Sequence, residues 1–343
     1  MQKMLFPVLK NENEIIKHMK SHIPPYSNNF ICFFSSHLKA FITDPLFMSI
    51  PLEDKMIHRG YGVFETTKIF ENKIYQLDSH IERLNKSIKK INLTSMYTHE
   101  EYREILLRLA SLARSIEPSK DIELRYFYSA GLGNMSLIVN EKYPSFYAIA
   151  LRTDFSERPV NGVEDFLVNL DEIKRNVTTS KNTNYLVNAM ITNMSKREGG
   201  YLGIMTDDQG NILESPMSNI AFVLNNGDFS VPPFDKTLVG TTVVRVMDYV
   251  NKFLIPEGSI KSINRDYVKI DDFENVVKEA MFVGGDFVIP ILKINGKQIT
   301  QQPGEITKMI QKFLICDKKA DEVCEDIPQL DLIEKDGKEN NKI

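Results

Sequence analysis

Apolar and polar positions follow two different periods along this chain, and from about residue 40 onward they predict a mixture of strands and helices. Residues 62–70 and 73–77 lie on either side of a short polar turn, which predicts a β-hairpin. Apolar residues at helical spacing follow over 81–91 and again over 100–115. Three further strands are predicted in this half of the chain, over residues 123–128, 136–139 and 146–151.

A polar connector over residues 153–163 separates this region from a second one with the same mixture of patterns. We predict helices there over 184–196 and 241–253, and strands over 201–206, 219–224, 229–231 and 281–291. The whole pattern predicts an α/β (α+β) fold. It divides the chain into an N-terminal arm (1–33), a small α/β domain (34–152), the connector (153–163), a large domain (164–316) and an acidic tail (317–343) that we expect to be disordered.

Composition narrows the classes of function. The chain has 343 residues and a formal charge of −4, and residues 317–343 hold nine acids and five lysines, so the tail carries the whole imbalance. A near-neutral body gives no field that would steer a nucleic acid. No apolar run is long enough for a membrane span. Three scattered cysteines fit neither a disulfide framework nor a zinc site, and we expect no metal. We therefore expect a cytoplasmic protein, with organelle targeting as an open alternative.

Three features of the second half are suited to a phosphorylated cofactor. Lys181 lies among uncharged polar residues, and Glu214 precedes an apolar strand that can hold a carboxylate rigidly. Gly240, Thr241 and Thr242 lie at a predicted helix start, where backbone N–H groups and hydroxyls bind phosphate. Taken singly, these are more often a surface lysine, a surface glutamate and an ordinary helix cap. Together they are the amine, the carboxylate and the anion site that pyridoxal 5'-phosphate needs.

Five motifs in the same order resemble the fold-type IV pyridoxal-phosphate enzymes, and the resemblance spans roughly residues 34–313. The motifs are HRGYGVFET at 58–66, HxxRL at 80–84, KxxNYLxN at 181–188, ESxxSNI at 214–220 and GTTxxR at 240–245. This family includes branched-chain aminotransferases, D-amino-acid transaminases and 4-amino-4-deoxychorismate lyases. The resemblance implies a two-domain fold with an interdomain loop, a homodimer and a small-molecule amine as substrate.

The resemblance also implies roles for the matching residues. Lys181 corresponds to the Schiff-base lysine, Glu214 to the partner of the pyridine nitrogen, and Arg83 to a contact of the cofactor phosphate. An arginine suits that task because its planar fork matches phosphate, although on its own Arg83 is a helix-surface residue. The expected cofactor-binding residues are Lys181, Glu214, Arg83, Gly240, Thr241, Thr242, Ser218 and Asn219.

The expected substrate pocket departs from that of the D-amino-acid transaminases. Those enzymes trap the substrate carboxylate with an arginine after a strand like residues 125–128, and the matching position here is Ser129 or Ala130. Arg125 is the candidate replacement, unless strand alternation places it in an ion pair. The turn at Gly284 and Gly285 would open room for a bulkier ring.

A second departure is the acid that follows this glycine pair. Asp286 would repel a phosphate, so we expect it to point elsewhere. The two departures weaken a plain D-amino-acid transaminase assignment. The missing arginine together with the glycine turn favours a 4-amino-4-deoxychorismate lyase, which makes 4-aminobenzoate and pyruvate for folate synthesis. A D-amino-acid or branched-chain aminotransferase is the alternative, and a catalytically inactive dimeric homologue is the second alternative.

Proton transfer is expected to depend on Lys181. Thr66 lies on a strand that faces the expected pocket and is placed to assist, although a β-branched residue in a strand needs no such role. The expected catalytic residues are therefore Lys181 and Thr66. The expected substrate-binding residues are Phe64, Arg125, Ser129, Gly284 and Gly285.

Overall fold

A computed structural model describes residues 7–22, 28–133, 143–153, 159–169 and 181–328. The strand that we predict over 136–139 lies outside these residues, as does the polar stretch immediately before Lys181. The elements of the first half are α1 (Glu12–His22), β1 (Phe30–Ser35), β2 (Ala40–Ile42), α2 (Lys55–Arg59), β3 (Gly62–Phe70), β4 (Lys73–Tyr75), α3 (Leu77–Lys90), α4 (His99–Ile116), β5 (Ile122–Ser129) and β6 (Ser145–Arg152).

The second half begins with two short strands and continues with the same mixture of elements. They are β7 (Val163–Asp165), β8 (Leu167–Asn169), α5 (Leu186–Arg197), β9 (Ile204–Thr206), β10 (Asn219–Leu224), β11 (Phe229–Ser230), α6 (Thr241–Tyr249), β12 (Ile263–Asn264), α7 (Phe273–Val276), β13 (Val277–Gly284), β14 (Phe287–Ile294), β15 (Lys297–Gln298), α8 (Glu305–Asp317) and β16 (Cys324–Asp326). A single π-helical turn, Val250–Leu254, extends α6. The predicted α/β (α+β) class is confirmed.

The first sheet is antiparallel throughout and, in the part of the chain that the structure describes, has seven strands in the order β16-β4-β3-β5-β6-β1-β2. Helices α3 and α4 cover one face, because alternate positions of the central strands are apolar and meet the apolar stripes of both helices. Val63 and Ile69 of β3 pack there with Leu84 and Leu106, and all four are fully buried. The opposite face of β3 carries Phe64, Thr66 and Lys68.

The second sheet is mixed. Its described strands run β12-β11-β10-β13-β14-β15, and β7 pairs with β14. Helices α6 and α8 pack on one face through Val243, Val246 and Ile310, and the other face has its own core around Phe222 and Phe282. Burial on both faces explains why β10 and β13 are apolar at nearly every position. Across the described ranges no helix combines the length and the apolar character needed to cross a membrane.

Several predicted elements have the observed limits. Strands β3 and β10 have the predicted ends, and α6 begins at Thr241 as predicted. The limits of these elements do not test the predicted division into domains, which stays a prediction.

The expectation of disorder from residue 317 is wrong for residues 317–328. Strand β16 pairs antiparallel with β4, and Glu325 pairs with Arg103 of α4. Asp317, the last residue of α8, is buried and accepts hydrogen bonds from Tyr75 and Arg245. A polar segment shows little periodicity of its own, and strand β4 and Arg103 lie more than 200 residues before their partners in this segment, so the sequence pattern did not reveal the pairing. The rest of the tail, residues 329–343, lies outside the described residues.

Candidate active site

Lys181 lies against the start of β3. The N–H of Phe64 donates to the Lys181 carbonyl at 2.9 Å, and Asn182 forms a bridge with Val63. The Lys181 side chain is half-buried, and its Nζ donates to Tyr185 Oη at 3.2 Å. Nζ also lies 4.4 Å from the centre of the Phe64 ring. Lys181 is therefore a positioned amine between two aromatic side chains and not a surface lysine.

A buried carboxylate, that of Glu65, holds the Arg83 side chain in position. Glu65, on the helix-facing side of β3, accepts from Arg83 Nε and Nη2 at 2.6 Å each, and His80 Nδ1 lies 2.9 Å from the same carboxylate. Burial alone would raise the pKa of Glu65, but Arg83 and His80 lower it to about 2. Glu65 is therefore a permanent anion in this cluster, and it fixes the plane of the Arg83 guanidinium.

His80 connects this cluster to Lys181. Burial lowers the pKa of His80, Glu65 raises it, and the positive charges of Arg83 and Lys181 lower it further, so the ring is kept neutral. Tyr126 lies fully buried beside Glu65, and its Oη has no hydrogen-bond partner among the described residues. Burial and the Glu65 charge raise the pKa of Tyr126 well above its usual range.

Glu214 is a buried carboxylate held between two loops. Its Oε2 accepts from the Leu238 N–H at 3.0 Å and from Asn219 Nδ2 at 3.4 Å. Asn219 also donates to the Leu238 carbonyl at 2.7 Å. A Cβ at Gly240 would collide with Asn219 Oδ1, so this glycine lets the start of α6 approach the Glu214 loop closely.

The N-terminus of α6 is open to a ligand. Gly240 is the N-cap residue, and no side chain caps the first turn. Gly240, Thr241 and Arg83 line one cavity of about 840 Å³. Uncapped N–H groups, a threonine hydroxyl and a guanidinium are the donors that a phosphate group requires. The residues present therefore fit the phosphate end of the expected cofactor.

Hydrogen bonds and a shared cavity join most of these groups. His80, whose pKa the charge of Lys181 lowers, is hydrogen-bonded to Glu65 beside Arg83, and Arg83 shares the cavity with Thr241. Gly240 approaches Asn219, which donates to Glu214. The Glu214 loop returns to the helix after Lys181, because Asn188 Nδ2 donates to the Pro216 carbonyl at 2.9 Å. The structure thus brings the expected amine, carboxylate and anion donors into one region, although Lys181 and Glu214 do not line the cavity itself.

The remaining expected cofactor and pocket residues have the following places. Ser218 is buried, and its hydroxyl pairs with that of Ser215 at 2.9 Å. Thr242 is buried in the first turn of α6, and its Oγ1 accepts from the Asp286 N–H at 3.1 Å. Thr66 is half-buried and lies on the same face of β3 as Phe64. Phe64 therefore adjoins Lys181, and Thr66 is one step further along that face.

Two expected substrate contacts are engaged elsewhere. Ser129 is fully buried, and its hydroxyl donates to Asp54, which also accepts from Tyr147 at 2.8 Å. We therefore correct the expectation that Ser129 binds substrate, because its hydroxyl belongs to a structural cluster. Arg125 forms an ion pair with Glu123 at 2.5 Å. This is the alternative to substrate binding that strand alternation predicted for Arg125.

The glycine pair also has a structural explanation. A Cβ at Gly284 would lie 2.8 Å from the Ser218 Cβ, and Gly285 has φ of 55° in a tight turn. These glycines serve close packing and backbone conformation, and the expected opening for a bulky ring stays a prediction. Asp286 is buried beside Thr242 and points at Lys68 and Lys318. Its carboxylate is therefore engaged by two lysines.

Sequence reasoning missed Glu65 and Lys318. Glu65 carried a usable signal, since strand alternation places it with Val63 and Ile69 on the apolar face of β3, where an acid needs a cationic partner. Lys318 carried none, because it lies in a polar segment 32 residues after Asp286.

Comparisons with known proteins agree with one another. The sequence model of the family described as amino-transferase class IV matches residues 62–294. The D-amino-acid transaminase, chloroplastic, of Arabidopsis thaliana is 30% identical over 295 residues, covering 85% of this chain and 77% of that protein. A crystal structure of branched-chain aminotransferase from Thermoproteus uzoniensis with norvaline has a TM-score of 0.75 at 22% identity, covering 87% of this chain and 100% of that one. A hypothetical aminotransferase from Mycobacterium tuberculosis, in a PLP-bound form, has a TM-score of 0.68 at 17% identity, covering 83% and 98%.

Proposed function

We propose that this chain, which belongs to the amino-transferase class IV family, is a pyridoxal-phosphate-dependent aminotransferase that acts on a D-amino acid. The observation that carries the proposal is the presence, in one protein, of a half-buried Lys181 amine hydrogen-bonded to Tyr185, a buried Glu214 carboxylate bound to Asn219, and an uncapped start of α6 that shares a cavity with Arg83. Family membership confirms the resemblance to fold-type IV enzymes.

The residues present would hold each end of the cofactor. Lys181 would bind it covalently, Glu214 would hold the proton of the ring nitrogen, and Arg83 with the first turn of α6 would bind the phosphate. When bound, pyridoxal phosphate withdraws electrons from the carbon that carries the substrate amino group, which makes the proton on that carbon acidic.

The chain's own groups then move that proton. The Lys181 amine, once uncharged, is the base that accepts it from the substrate carbon. Tyr185 orients the amine through its hydroxyl at 3.2 Å, and Phe64 covers it and excludes water on one side. Glu214 lies buried against Leu238 and Asn219, so it can hold a buried proton without movement.

The choice of substrate rests on the relatives and on packing. The relative from Arabidopsis thaliana, which is named for D-amino acids, supports a transaminase. The lyase that the sequence favoured was motivated by the absence of an arginine at position 129 or 130 and by the glycine turn. The glycine turn has a structural explanation, and the arginine is absent from that position in the D-amino-acid proposal as well. Lyase activity stays a prediction that the substrate test below addresses.

Cofactor binding is the first test. The purified protein should be yellow with pyridoxal phosphate, and Lys181→Ala should lose the visible absorbance band and lower turnover by about 10²–10⁴-fold. Lys196→Ala, an exposed lysine on α5, is the matched control and should keep both. A colourless wild-type protein that cannot be reconstituted would support the inactive homologue instead.

A substrate panel is the second test. D-alanine, L-leucine and aminodeoxychorismate are each supplied with and without a keto acid, and keto-acid, amino-acid and 4-aminobenzoate products are scored together. The proposal predicts product from D-alanine that requires the keto acid. Formation of 4-aminobenzoate and pyruvate with no keto acid would establish the lyase, and turnover of L-leucine alone would favour the branched-chain alternative.

The homodimer and the cytoplasmic location complete the proposal. Leu38, Phe47, Leu52 and Ile57 are exposed apolar residues near the start of the small domain, and a second copy would cover such side chains. Light scattering on the purified protein should give twice the chain mass of 39.4 kDa. A fluorescent fusion of the full chain should report the cytoplasm, whereas an organelle signal would match the chloroplastic relative.

A further inference from the structure

We propose that Lys318 sets the charge of the anion site at α6, because together with Lys68 it gives a buried aspartate behind that site a net positive surrounding. The residues concerned, Lys68, Asp286 and Lys318, form what we call the lysine–aspartate cluster. This inference rests on the proposed function, since it concerns how the phosphate end of the cofactor is bound. It adds a positioning residue from a segment that lies beyond the region matched by the family.

Asp286 lies directly behind the start of α6. Asp286 occupies the turn between β13 and β14 with a φ of 68°, and only 2% of its surface is exposed. Its backbone N–H donates to Thr242 Oγ1 at 3.1 Å. Because Thr242 is in the first turn of α6, a bare carboxylate at this position would repel any phosphate bound there.

Two lysines compensate the Asp286 carboxylate. Lys68 of β3 donates to one oxygen and also to the Gly285 carbonyl at 2.6 Å, and Lys318 contacts the other oxygen at 2.8 Å. The two lysines and one aspartate give the cluster a formal charge of +1.

Lys318 is itself held in place. It follows Asp317, which binds Arg245 of α6 at 2.6 Å, so the end of α8 is fixed to the helix whose N-terminus binds the anion. The Lys318 side chain is 20% exposed. Loss of its charge would leave Asp286 with one cation in a poorly hydrated site, where a single charge acts strongly on a phosphate.

The test compares ligands with and without a phosphate group. Apo-protein is titrated with pyridoxal phosphate and with pyridoxal by absorbance, and with inorganic phosphate by calorimetry. We expect Lys318→Gln to weaken pyridoxal phosphate and inorganic phosphate by about tenfold and to leave pyridoxal unchanged. Lys319→Gln, at the next residue and 67% exposed, is the matched control and should bind all three like the wild type. Lys318→Arg keeps the charge and should restore wild-type affinity.

A double variant separates charge from folding. Adding Asp286→Asn to Lys318→Gln should return phosphate affinity to the wild-type value, because both partners of the pair are then uncharged. Equal losses for pyridoxal and pyridoxal phosphate, no loss at all, or no recovery in the double variant would each overturn the inference. Wild-type protein that binds inorganic phosphate but never forms the yellow complex would refute the proposed function, and the cluster would still be tested through phosphate.

Discussion

Glu65 accepts two parallel hydrogen bonds from Arg83, one to each carboxylate oxygen and each 2.6 Å long. The pair joins the central strand β3 to helix α3, and the Glu65 carboxylate is fully buried. A bidentate pair of this kind fixes the orientation of the guanidinium as well as its position. Arg83 therefore reaches the cavity at α6 in one orientation, held by a residue that never touches the ligand.

Removal of the Glu65 charge should destabilise the fold. Glu65→Gln leaves Arg83 without its buried counter-charge, and we expect a loss of about 3–5 kcal/mol in the free energy of unfolding. Urea denaturation of the apo-protein measures it. Glu117→Gln, which affects a more exposed pair with Arg152 at 2.6 Å, should cost only about 1 kcal/mol. Similar losses in the two variants would contradict the central role of Glu65.

The same residue should give a specific dependence of stability on pH. The pKa of Glu65 falls from 4.5 to about 2 in the folded protein, because Arg83 and His80 outweigh the effect of burial. A depressed pKa contributes stability that is complete above pH 4.5 and is lost as pH falls toward 2, which amounts to about 3 kcal/mol. The stability gap between wild type and Glu65→Gln should therefore stay constant above pH 5 and shrink below it. A gap that persists unchanged at pH 2.5 would show that the charge is not responsible.

Tyr185 should affect turnover without affecting folding. Tyr185→Phe removes the hydroxyl that accepts from Lys181 Nζ at 3.2 Å and keeps the ring that packs edge-on against Phe64. We expect turnover to fall about tenfold, since a hydrogen bond to a charged group contributes about 1.5 kcal/mol. Initial rates and thermal melting are measured together. Tyr249→Phe, whose ring stacks on Phe313 at the far end of α6, should leave the rate unchanged.

Asp165 should be a main determinant of stability in the second half. Its buried carboxylate accepts from the backbone N–H groups of Phe166, Tyr201, Leu202 and Gly203 and from the Ser195 hydroxyl. Asp165→Asn replaces one acceptor oxygen by a donor and leaves buried N–H groups unpaired, which should cost about 3 kcal/mol.

The control for this prediction is an exposed aspartate that pairs with His99 and, at 3.6 Å, with Arg103. Asp78→Asn affects a side chain that is 63% exposed and pairs with His99. Its unfolding midpoint in urea should stay close to that of the wild type. If Asp165→Asn shifted the midpoint no further than this control, the hydrogen bonds around Asp165 would not be stabilising.

Much of the fold could be predicted from local pattern. Strand β3 has the predicted limits because alternation over 62–70 records which positions face the helices. The start of α6 at Thr241 follows from a glycine that precedes a helical apolar pattern. Strand β16 could not be found this way, since its stability comes from pairing with β4 and not from its own composition.

The candidate site divides in the same manner. The order of Lys181, Glu214 and Gly240 along the chain indicated the cofactor, because each residue type has a fixed chemical task. The order could not show that Ser129 is bound to Asp54, nor that Gly284 is required by contact with Ser218. Ser129 and Gly284 were assigned to the substrate pocket because the sequence does not show which residues surround them in the fold.

By itself, then, the sequence determined the class of fold and the chemical groups that we propose for cofactor binding. Those properties depend on residue type and on spacing along the chain. Only the tertiary structure decided that Glu65 orients Arg83 and that Lys318 pairs with Asp286. The reason is physical: the effect of a charge depends on its distance from other charges and on its burial, and both are set by packing between segments that the chain order keeps far apart.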